Sequence, residues 1–151
     1  VFLKPRLFEY SMIPVALFAI PGVPTPIHSM SSMEIPAIFE KNGEKYFREL
    51  ESFAISEAAL LSGAVIATGG GAVLREQNVT LLKGNGTIYF IDRPLEKLVS
   101  TDDRPLSSNR DDLVKRYHER YDIYCNTADK RLVNDGEIET LINAIKEDFL
   151  K

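Results

Sequence analysis

Hydrophobic and polar positions follow helix and strand periods from Glu34 to the end of the chain. Residues 35–40 predict a short helix that stops near Gly43, because an Asn-Gly pair there favours a turn. Residues 44–61 predict an amphipathic helix, because apolar residues recur at intervals of three and four. Its apolar face consists of Phe47, Leu50, Ala54, Ala58 and Leu61.

Two short apolar runs further along the chain predict buried strands. The first covers Ala64–Ala67 and the second covers residues 87–91. The other predicted elements are helices over residues 76–83, 94–99, 111–124 and 136–150 and a short strand at residues 132–133. Strands that alternate with helices predict an α/β fold, with a parallel sheet flanked by helices.

The first strand runs directly into Gly69, Gly70 and Gly71. Glycines leave room for a ligand against the main chain, and open α/β sheets build their sites at the carboxyl ends of strands. Three glycines also suit a flexible turn, so the run alone leaves both interpretations open. Residues 101–112 are polar and predict a mobile loop with the length of an active-site lid.

The first 32 residues differ in composition from the rest. Six of the eight prolines lie within the first 36 residues, and no charged residue occurs between Tyr10 and Met33. The apolar run over residues 12–20 is short and contains Pro14, so it predicts neither a signal peptide nor a membrane span. We therefore expect residues 1–32 to be a separate, unmatched segment and residues 33–151 to be the regular domain.

Composition narrows the class of function. A net charge of −4 argues against a nucleic-acid partner. The single cysteine, Cys125, excludes an internal disulfide and a multi-cysteine zinc site. His28 and His118 are too far apart in sequence for a metal-ligand motif, so no metal ligand is predicted. A reducing, cytoplasmic location without membrane contact fits these features best.

Arginines are the candidate chemical groups, and each has two interpretations. Arg48 has Glu44 and Glu51 one helical turn away on either side. These residues suit surface ion pairs of about 0.2–0.5 kcal/mol each, or a guanidinium that Glu51 holds ready to bind a carboxylate with two hydrogen bonds. Periodicity alone favours the surface ion pairs. Arg104 in the polar loop and Arg120 on the next helix leave the same two interpretations open.

The order of these features resembles the shikimate kinase family, which are small P-loop kinases of the nucleoside-monophosphate-kinase type. The resemblance covers the chain from about residue 33 to its C-terminus. It is carried by residues 35–40, 43–44, 46–51, 65–73, 89–96, 103–106 and 116–124. It implies a P-loop kinase-like α/β fold whose lid lies at about residues 101–112.

The resemblance also implies an activity. Shikimate kinases transfer the γ-phosphoryl group of MgATP to the 3-hydroxyl of shikimate, in the chorismate pathway of aromatic amino-acid biosynthesis. The implied cofactors are ATP and Mg²⁺, the implied partner is the small molecule shikimate, and the implied enzyme is a cytoplasmic monomer.

Residue roles follow from the same resemblance, position by position. Arg104 would be catalytic, contacting the ATP phosphate and stabilising the charge of the transferred group. Arg48 and Arg120 would bind the shikimate carboxylate, and Glu51 would orient Arg48. The other implied substrate-binding residues are Gly69, Gly70 and Gly71, through backbone N–H groups, and Phe39 and Phe47, as pocket walls.

The nucleotide-binding half of the family pattern is not recognisable. The chain contains no Gly-Lys-Ser or Gly-Lys-Thr, and the family spacing would place the P-loop lysine at Pro5. The Asp-x-Asp pair of the family would fall at Gly22 and Pro24, and the first aspartate of the chain is Asp92. The first strand and the P-loop are therefore absent or altered, which predicts marginal stability and weak or no ATP binding.

Four interpretations of this departure remain open. In the first, residues 1–32 are a wrong-frame reading of a normal shikimate kinase gene. In the second, the chain is a catalytically inactive paralogue or a truncated form. Such a form would bind shikimate-like carboxylates without ATP turnover. In the third, the chain is a related phosphotransferase with another hydroxylated substrate, such as gluconate. In the fourth, it is an α/β scaffold of unrelated purpose.

Overall fold

The fold is described by a computed structural model for residues 2–3, 13–16, 26–62, 64–98 and 110–149. The strands are β1 (Phe2–Leu3), β2 (Ile13–Ala16), β3 (Ala64–Ala67), β4 (Thr87–Asp92) and β5 (Lys130–Val133). The helices are α1 (Pro26–Ser31), α2 (Ile35–Ala58), α3 (Glu76–Lys83), α4 (Arg110–Thr127) and α5 (Ile138–Phe149). Short 3-10 turns occupy Ala72–Leu74 and Leu95–Lys97.

The chain divides into an N-terminal unit, Val1–Thr87, and a C-terminal unit, Ile88–Lys151. The composition break near residue 32 lies between α1 and α2, and its interpretation as a boundary stays a prediction. Within the described ranges, none of the helices has the length and apolar content that crossing a membrane requires.

Helix α2 dominates the N-terminal unit and is broken where the sequence predicted. Its backbone leaves helical geometry at Gly43, with φ 79° and ψ 173°. Residues with a side chain rarely adopt this conformation, so glycine is required at this position. The predicted division into a short helix and a long amphipathic helix is confirmed. The long helix ends at Ala58, so Leu61 lies beyond it and is 40% exposed.

Strand β3 is flanked by two strands in the N-terminal unit. Strand β2 runs parallel to β3, with Pro14 opposite Val65, and β1 runs antiparallel on the other side. Proline has no N–H to donate, so within sheets it is found mainly on edge strands such as β2. The parallel pair agrees with the predicted parallel sheet, whereas the antiparallel strand β1 was not predicted.

The core of the N-terminal unit lies between β3 and its helices. Its buried apolar residues are Ile27, Ile38, Phe47, Ala54, Ile55, Ala58, Ala59, Ala64, Ile66, Ala72 and Leu82. Three members of the predicted apolar face of α2 (Phe47, Ala54 and Ala58) belong to this core. Helix α2 contacts α3 and the turn at Ala72–Leu74, which directly follows the glycine run.

In the C-terminal unit, β4 and β5 form a parallel pair in which Asp92 lies opposite Val133. Helix α4 begins at Arg110, so residues 110–112 of the predicted loop form its first turn. The negative charges of Asp111 and Asp112 in that turn interact favourably with the positive end of the helix dipole. The remainder of the predicted lid, residues 101–109, lies outside the described residues.

Candidate functional site

Arg48 is held by two carboxylates of its own helix. Its Nη1 donates to Oε2 of Glu51 at 2.8 Å, and its Nη2 and Nε donate to Oε1 of Glu44 at 3.0 and 3.3 Å. The side chains of Arg48, Glu51 and Glu44 are 12%, 0% and 49% exposed. A pair this buried is not a solvated surface pair, so the structure favours a positioned guanidinium.

The electrostatics keep this guanidinium charged. Burial lowers the pKa of Arg48, but the charges and hydrogen bonds of Glu51 and Glu44 outweigh burial, and the pKa is raised. The Arg48 guanidinium carbon also lies 5.2 Å from the centre of the Phe47 ring. A charged, oriented guanidinium on an aromatic face is suited to binding a carboxylate or a phosphate.

The glycine loop closes directly on Arg48. Gly71 is buried, and a Cβ added there would lie 2.5 Å from Cζ of Arg48. The backbone conformation of Gly71 is open to any residue, with φ −79°. Glycine is therefore needed for space, because any larger residue would displace the guanidinium. The structure thus brings together Arg48 and Gly71, which the sequence singled out separately.

Phe47, which contacts Arg48, also packs against Phe39. The rings of Phe39 and Phe47 are 4.6 Å apart and tilted by 36°. Phe47 is 2% exposed, and Phe39 is half-buried. They lie on opposite sides of the break at Gly43, so the two rings pack together across the break.

Two polar side chains that the sequence reasoning missed hold the loop from its far end. Asn78 is fully buried, and its Nδ2 donates to the carbonyl oxygen of Ala72 at 2.9 Å. Arg75 donates through Nη1 to the carbonyl oxygen of Arg48 and to Oγ of Ser52, both at 3.1 Å. A signal for Asn78 was present, because a polar residue four positions before the buried Leu82 interrupts the apolar face of α3.

Of the other two predicted arginines, Arg104 and Arg120, the structure describes only Arg120. Arg104 lies outside the described residues. Arg120 is half-buried on α4 of the C-terminal unit. The roles implied for both residues stay predictions.

A second arginine–carboxylate group, not predicted from the sequence, occupies the C-terminal unit. We call Asp92, Arg131 and Tyr121 the Asp92 cluster. Oδ2 of Asp92 accepts from Nε and Nη2 of Arg131 at 2.9 and 2.7 Å and from the hydroxyl of Tyr121 at 3.2 Å. Asp92 is 4% exposed, and its cluster links the ends of β4 and β5 to α4.

The metal-ligating side chains of the described residues do not converge. Among the residues that the structure describes, no group of three or more His, Cys, Asp or Glu side chains is arranged to hold a metal ion.

Comparison with known proteins gives a consistent result. A family model described as shikimate kinase matches residues 25–149. A shikimate kinase of Clostridium beijerinckii is 46% identical over 128 residues, which cover 82% of this chain and 75% of that protein. One of Caldanaerobacter subterraneus is 36% identical over 132 residues, which cover 83% of this chain and 77% of that protein.

Solved structures give the same match. The shikimate kinase of Aquifex aeolicus is 29% identical with a TM-score of 0.72, covering 89% of this chain and 79% of that one. The shikimate kinase of Acinetobacter baumannii, in complex with shikimate, is 26% identical with a TM-score of 0.72. This match covers 83% of this chain and 76% of that one.

Proposed function

Because the chain belongs to the shikimate kinase family, we propose that Arg48 and the glycine loop of residues 69–71 bind the carboxylate of shikimate. The family assignment confirms the P-loop kinase fold and a kinase of aromatic amino-acid biosynthesis, which is a transferase. It favours this enzyme over the catalytically inactive alternative.

One observation carries the proposal: buried Glu51 holds the Arg48 guanidinium against Gly71. The sequence singled out Arg48 and Gly71 for different reasons, and a shared ligand site would explain why they lie in contact. A carboxylate bound here would accept hydrogen bonds from the guanidinium, which is oriented before the ligand arrives. Such preorganisation lowers the entropic cost of binding.

Glu44 and Glu51 have different roles in this proposal. Glu51 is fully buried and keeps the guanidinium in place, whereas Glu44 is half exposed and contacts the Nε–Nη2 edge of Arg48. Through that edge arginine can bind a carboxylate with two parallel hydrogen bonds. The substrate carboxylate would replace Glu44 on this edge while Glu51 stays.

The family uses ATP and Mg²⁺, and the residues present do not fit them. A P-loop supplies backbone N–H groups, a lysine and a hydroxyl to phosphates and metal. The chain has no Gly-Lys-Ser or Gly-Lys-Thr, and the described part has no cluster of metal-ligating side chains. The chemistry proposed for these residues is therefore to hold and orient the phosphoryl acceptor.

Calorimetric titration with shikimate, and with shikimate methyl ester as the control, tests the proposal. The ester keeps the ring hydroxyls but lacks the negative charge, so the wild-type chain should bind shikimate at least tenfold more tightly, as expected for one charged hydrogen-bonded contact. Equal affinity for the two compounds, or no affinity for either, would refute carboxylate binding at this site.

A chimera separates the acceptor site from the nucleotide site. Residues 1–24, which precede the matched region, would be replaced by the corresponding segment of the Clostridium beijerinckii shikimate kinase. The chimera should release ADP from MgATP in the presence of shikimate, and the chain as written should show weak or no MgATP binding. If the unmodified chain released ADP as fast as the chimera, the unmodified chain would already bind the nucleotide.

The expected oligomeric state and location also belong to this proposal. We expect a monomer in the cytoplasm, as the family resemblance implied. Light scattering coupled to size-exclusion chromatography tests the first expectation, because a dimer would elute with twice the mass of 17.0 kDa.

A further inference from the structure

The glycine loop is followed by a tight turn with its own hydrogen bonds. The N–H of Ala72 donates to the carbonyl of Gly69, and the N–H of Leu74 donates to the carbonyl of Gly71, both at 3.2 Å. These bonds shape the turn, but they do not fix its distance from helix α2. Something else must set the distance between Gly71 and Arg48.

Asn78 and Arg75 supply the missing contacts. Asn78 reaches back from α3 and holds the carbonyl of Ala72, the residue directly after Gly71. Arg75 reaches to α2 and holds the backbone carbonyl of Arg48 itself. Asn78 is thus hydrogen-bonded to the residue that follows the glycine loop, and Arg75 is hydrogen-bonded to the residue that carries the guanidinium.

We propose that Arg75 and Asn78 are positioning residues, which fix the distance between the glycine loop and the Arg48 guanidinium and so set the selectivity for a carboxylate. This inference rests on the proposed binding of shikimate at Arg48. We call the two side chains with their backbone partners, Ala72 and Arg48, the brace.

The geometry explains why a small shift would matter. The loop backbone already lies so close to Arg48 that a single added Cβ would overlap the guanidinium. If the loop moved by about 1 Å, the N–H groups and the guanidinium would no longer converge on one carboxylate, and such a displacement can cost roughly 100-fold in a preorganised site.

Burial makes the two residues suitable for this task. Asn78 is 0% exposed and Arg75 is half-buried, so their side chains have few alternative conformations. The carbonyl of Arg48 belongs to helix α2, and its bond to Arg75 ties that turn of the helix to the segment between the loop and α3. The bonds that form the brace end on backbone carbonyls and not on the guanidinium, so their effect on a ligand must act through position.

The test uses a ratio of affinities. Calorimetry would give the dissociation constants of shikimate and shikimate methyl ester for the full chain and for the variants Asn78→Ala and Arg75→Met. Partial unfolding lowers both apparent affinities by the same factor, so it leaves the ratio of the two constants unchanged. A change in the ratio therefore reports on carboxylate recognition and not on stability.

Matched variants complete the design. Thr80→Ala removes another side chain–backbone bond of α3, from Oγ1 to the carbonyl of Glu76 at 3.1 Å, and should keep the wild-type ratio. Arg75→Lys keeps a charged donor and should restore part of the ratio that Arg75→Met loses. If Asn78→Ala does not fold, the two variants of the half-buried Arg75 provide the test alone.

We expect the preference for shikimate over its ester to fall about tenfold or more in Asn78→Ala and Arg75→Met. An unchanged preference in both variants, with a clear preference in the wild type, would overturn the brace and leave the proposed function intact. A wild type without any preference would overturn the proposed function itself, so the two failures are distinguishable.

Discussion

Each unit pairs an arginine with a buried carboxylate: Arg48 with Glu51 in the N-terminal unit and Arg131 with Asp92 in the C-terminal unit. The closest approaches are nearly equal, at 2.8 and 2.7 Å. The arginines differ in exposure, because the side chain of Arg48 is 12% exposed and that of Arg131 is 48% exposed. They differ also in what lies beside them.

The two arginines also differ in their surroundings. Arg48 lies against the backbone of Gly71, and we propose that a ligand binds there. Arg131 lies 5.6 Å from the ring centre of Tyr121, and the same carboxylate oxygen binds both residues. The Asp92 cluster therefore supplies hydrogen bonds to Oδ2 of a buried carboxylate at a strand end. A short salt bridge does not by itself mark a binding site, and the proposal for Arg48 rests on the close approach of Gly71.

Replacing each arginine by methionine tests this difference most strongly. Arg48→Met should weaken shikimate binding by about 100-fold, because the substrate loses a buried charged partner. It should also lower the free energy of unfolding by about 3 kcal/mol, because the buried Glu51 loses its arginine. Arg131→Met should leave the dissociation constant within about twofold of the wild type, as expected for a residue outside the site. Calorimetry and urea unfolding give both quantities, and equal losses of affinity would contradict the comparison.

Gly71→Ala should separate affinity from stability. The added methyl group would meet the far end of the Arg48 side chain, which can move aside. We therefore expect an affinity loss of about tenfold or more with a smaller loss of stability than Arg48→Met causes. Gly84→Ala is the matched control, because its Cβ would lie 3.4 Å from the nearest atom, the carbonyl of Thr80. If the two variants bind shikimate equally well, the close approach at Gly71 has no role in binding.

The two carboxylates on Arg48 should have unequal effects. Glu51→Gln should weaken shikimate binding by about tenfold, because hydrogen bonds to charged groups are the stronger ones and the guanidinium would lose its anchor. Glu44→Gln should change the affinity by less than about threefold, because exposed ion pairs contribute little. A titration of both variants decides the order, and a larger effect at Glu44 would assign the anchoring role to the exposed carboxylate.

Alkaline pH should disturb the Asp92 cluster. Burial and the hydrogen bond to Asp92 raise the pKa of Tyr121 above its ordinary value of 10.0. The folded chain therefore keeps this proton where the unfolded chain begins to lose it. The resulting stabilisation is complete below pH 10 and disappears as the pH rises through the raised pKa.

The variant Tyr121→Phe has no such proton to lose, so its free energy of unfolding should fall less steeply above pH 10. Tyr46→Phe removes an exposed hydroxyl and is the control. Urea unfolding at several pH values measures the slopes. Identical slopes for Tyr121→Phe and the wild type would show that the cluster does not depend on this hydroxyl.

The local elements of the fold were predictable because their signals lie within a few residues. The strand Ala64–Ala67 and the helix Glu76–Lys83 were predicted with their observed bounds. The break at Gly43 followed from an Asn-Gly pair inside a helical pattern. The end of α2 was not predictable, because the apolar period continues to Leu61 while the helix stops at Ala58.

Pairings between distant residues were not predictable from periodicity. Arg75 meets the carbonyl of Arg48 across 27 residues, and Arg131 meets Asp92 across 39. Nothing in the local pattern of either segment specifies its partner. The family resemblance selected Arg48, Glu51 and the glycines, but it selected neither Arg75 nor Asn78.

A crystal structure of the chain with bound shikimate tests the central claim most directly. The account predicts carboxylate oxygens roughly 2.7–2.9 Å from the guanidinium nitrogens of Arg48, as in other charged hydrogen bonds. Glu51 would still accept its hydrogen bond from Arg48, whereas the shikimate carboxylate would have displaced Glu44. Shikimate bound elsewhere, with Arg48 still held by Glu44 and Glu51, would contradict the account.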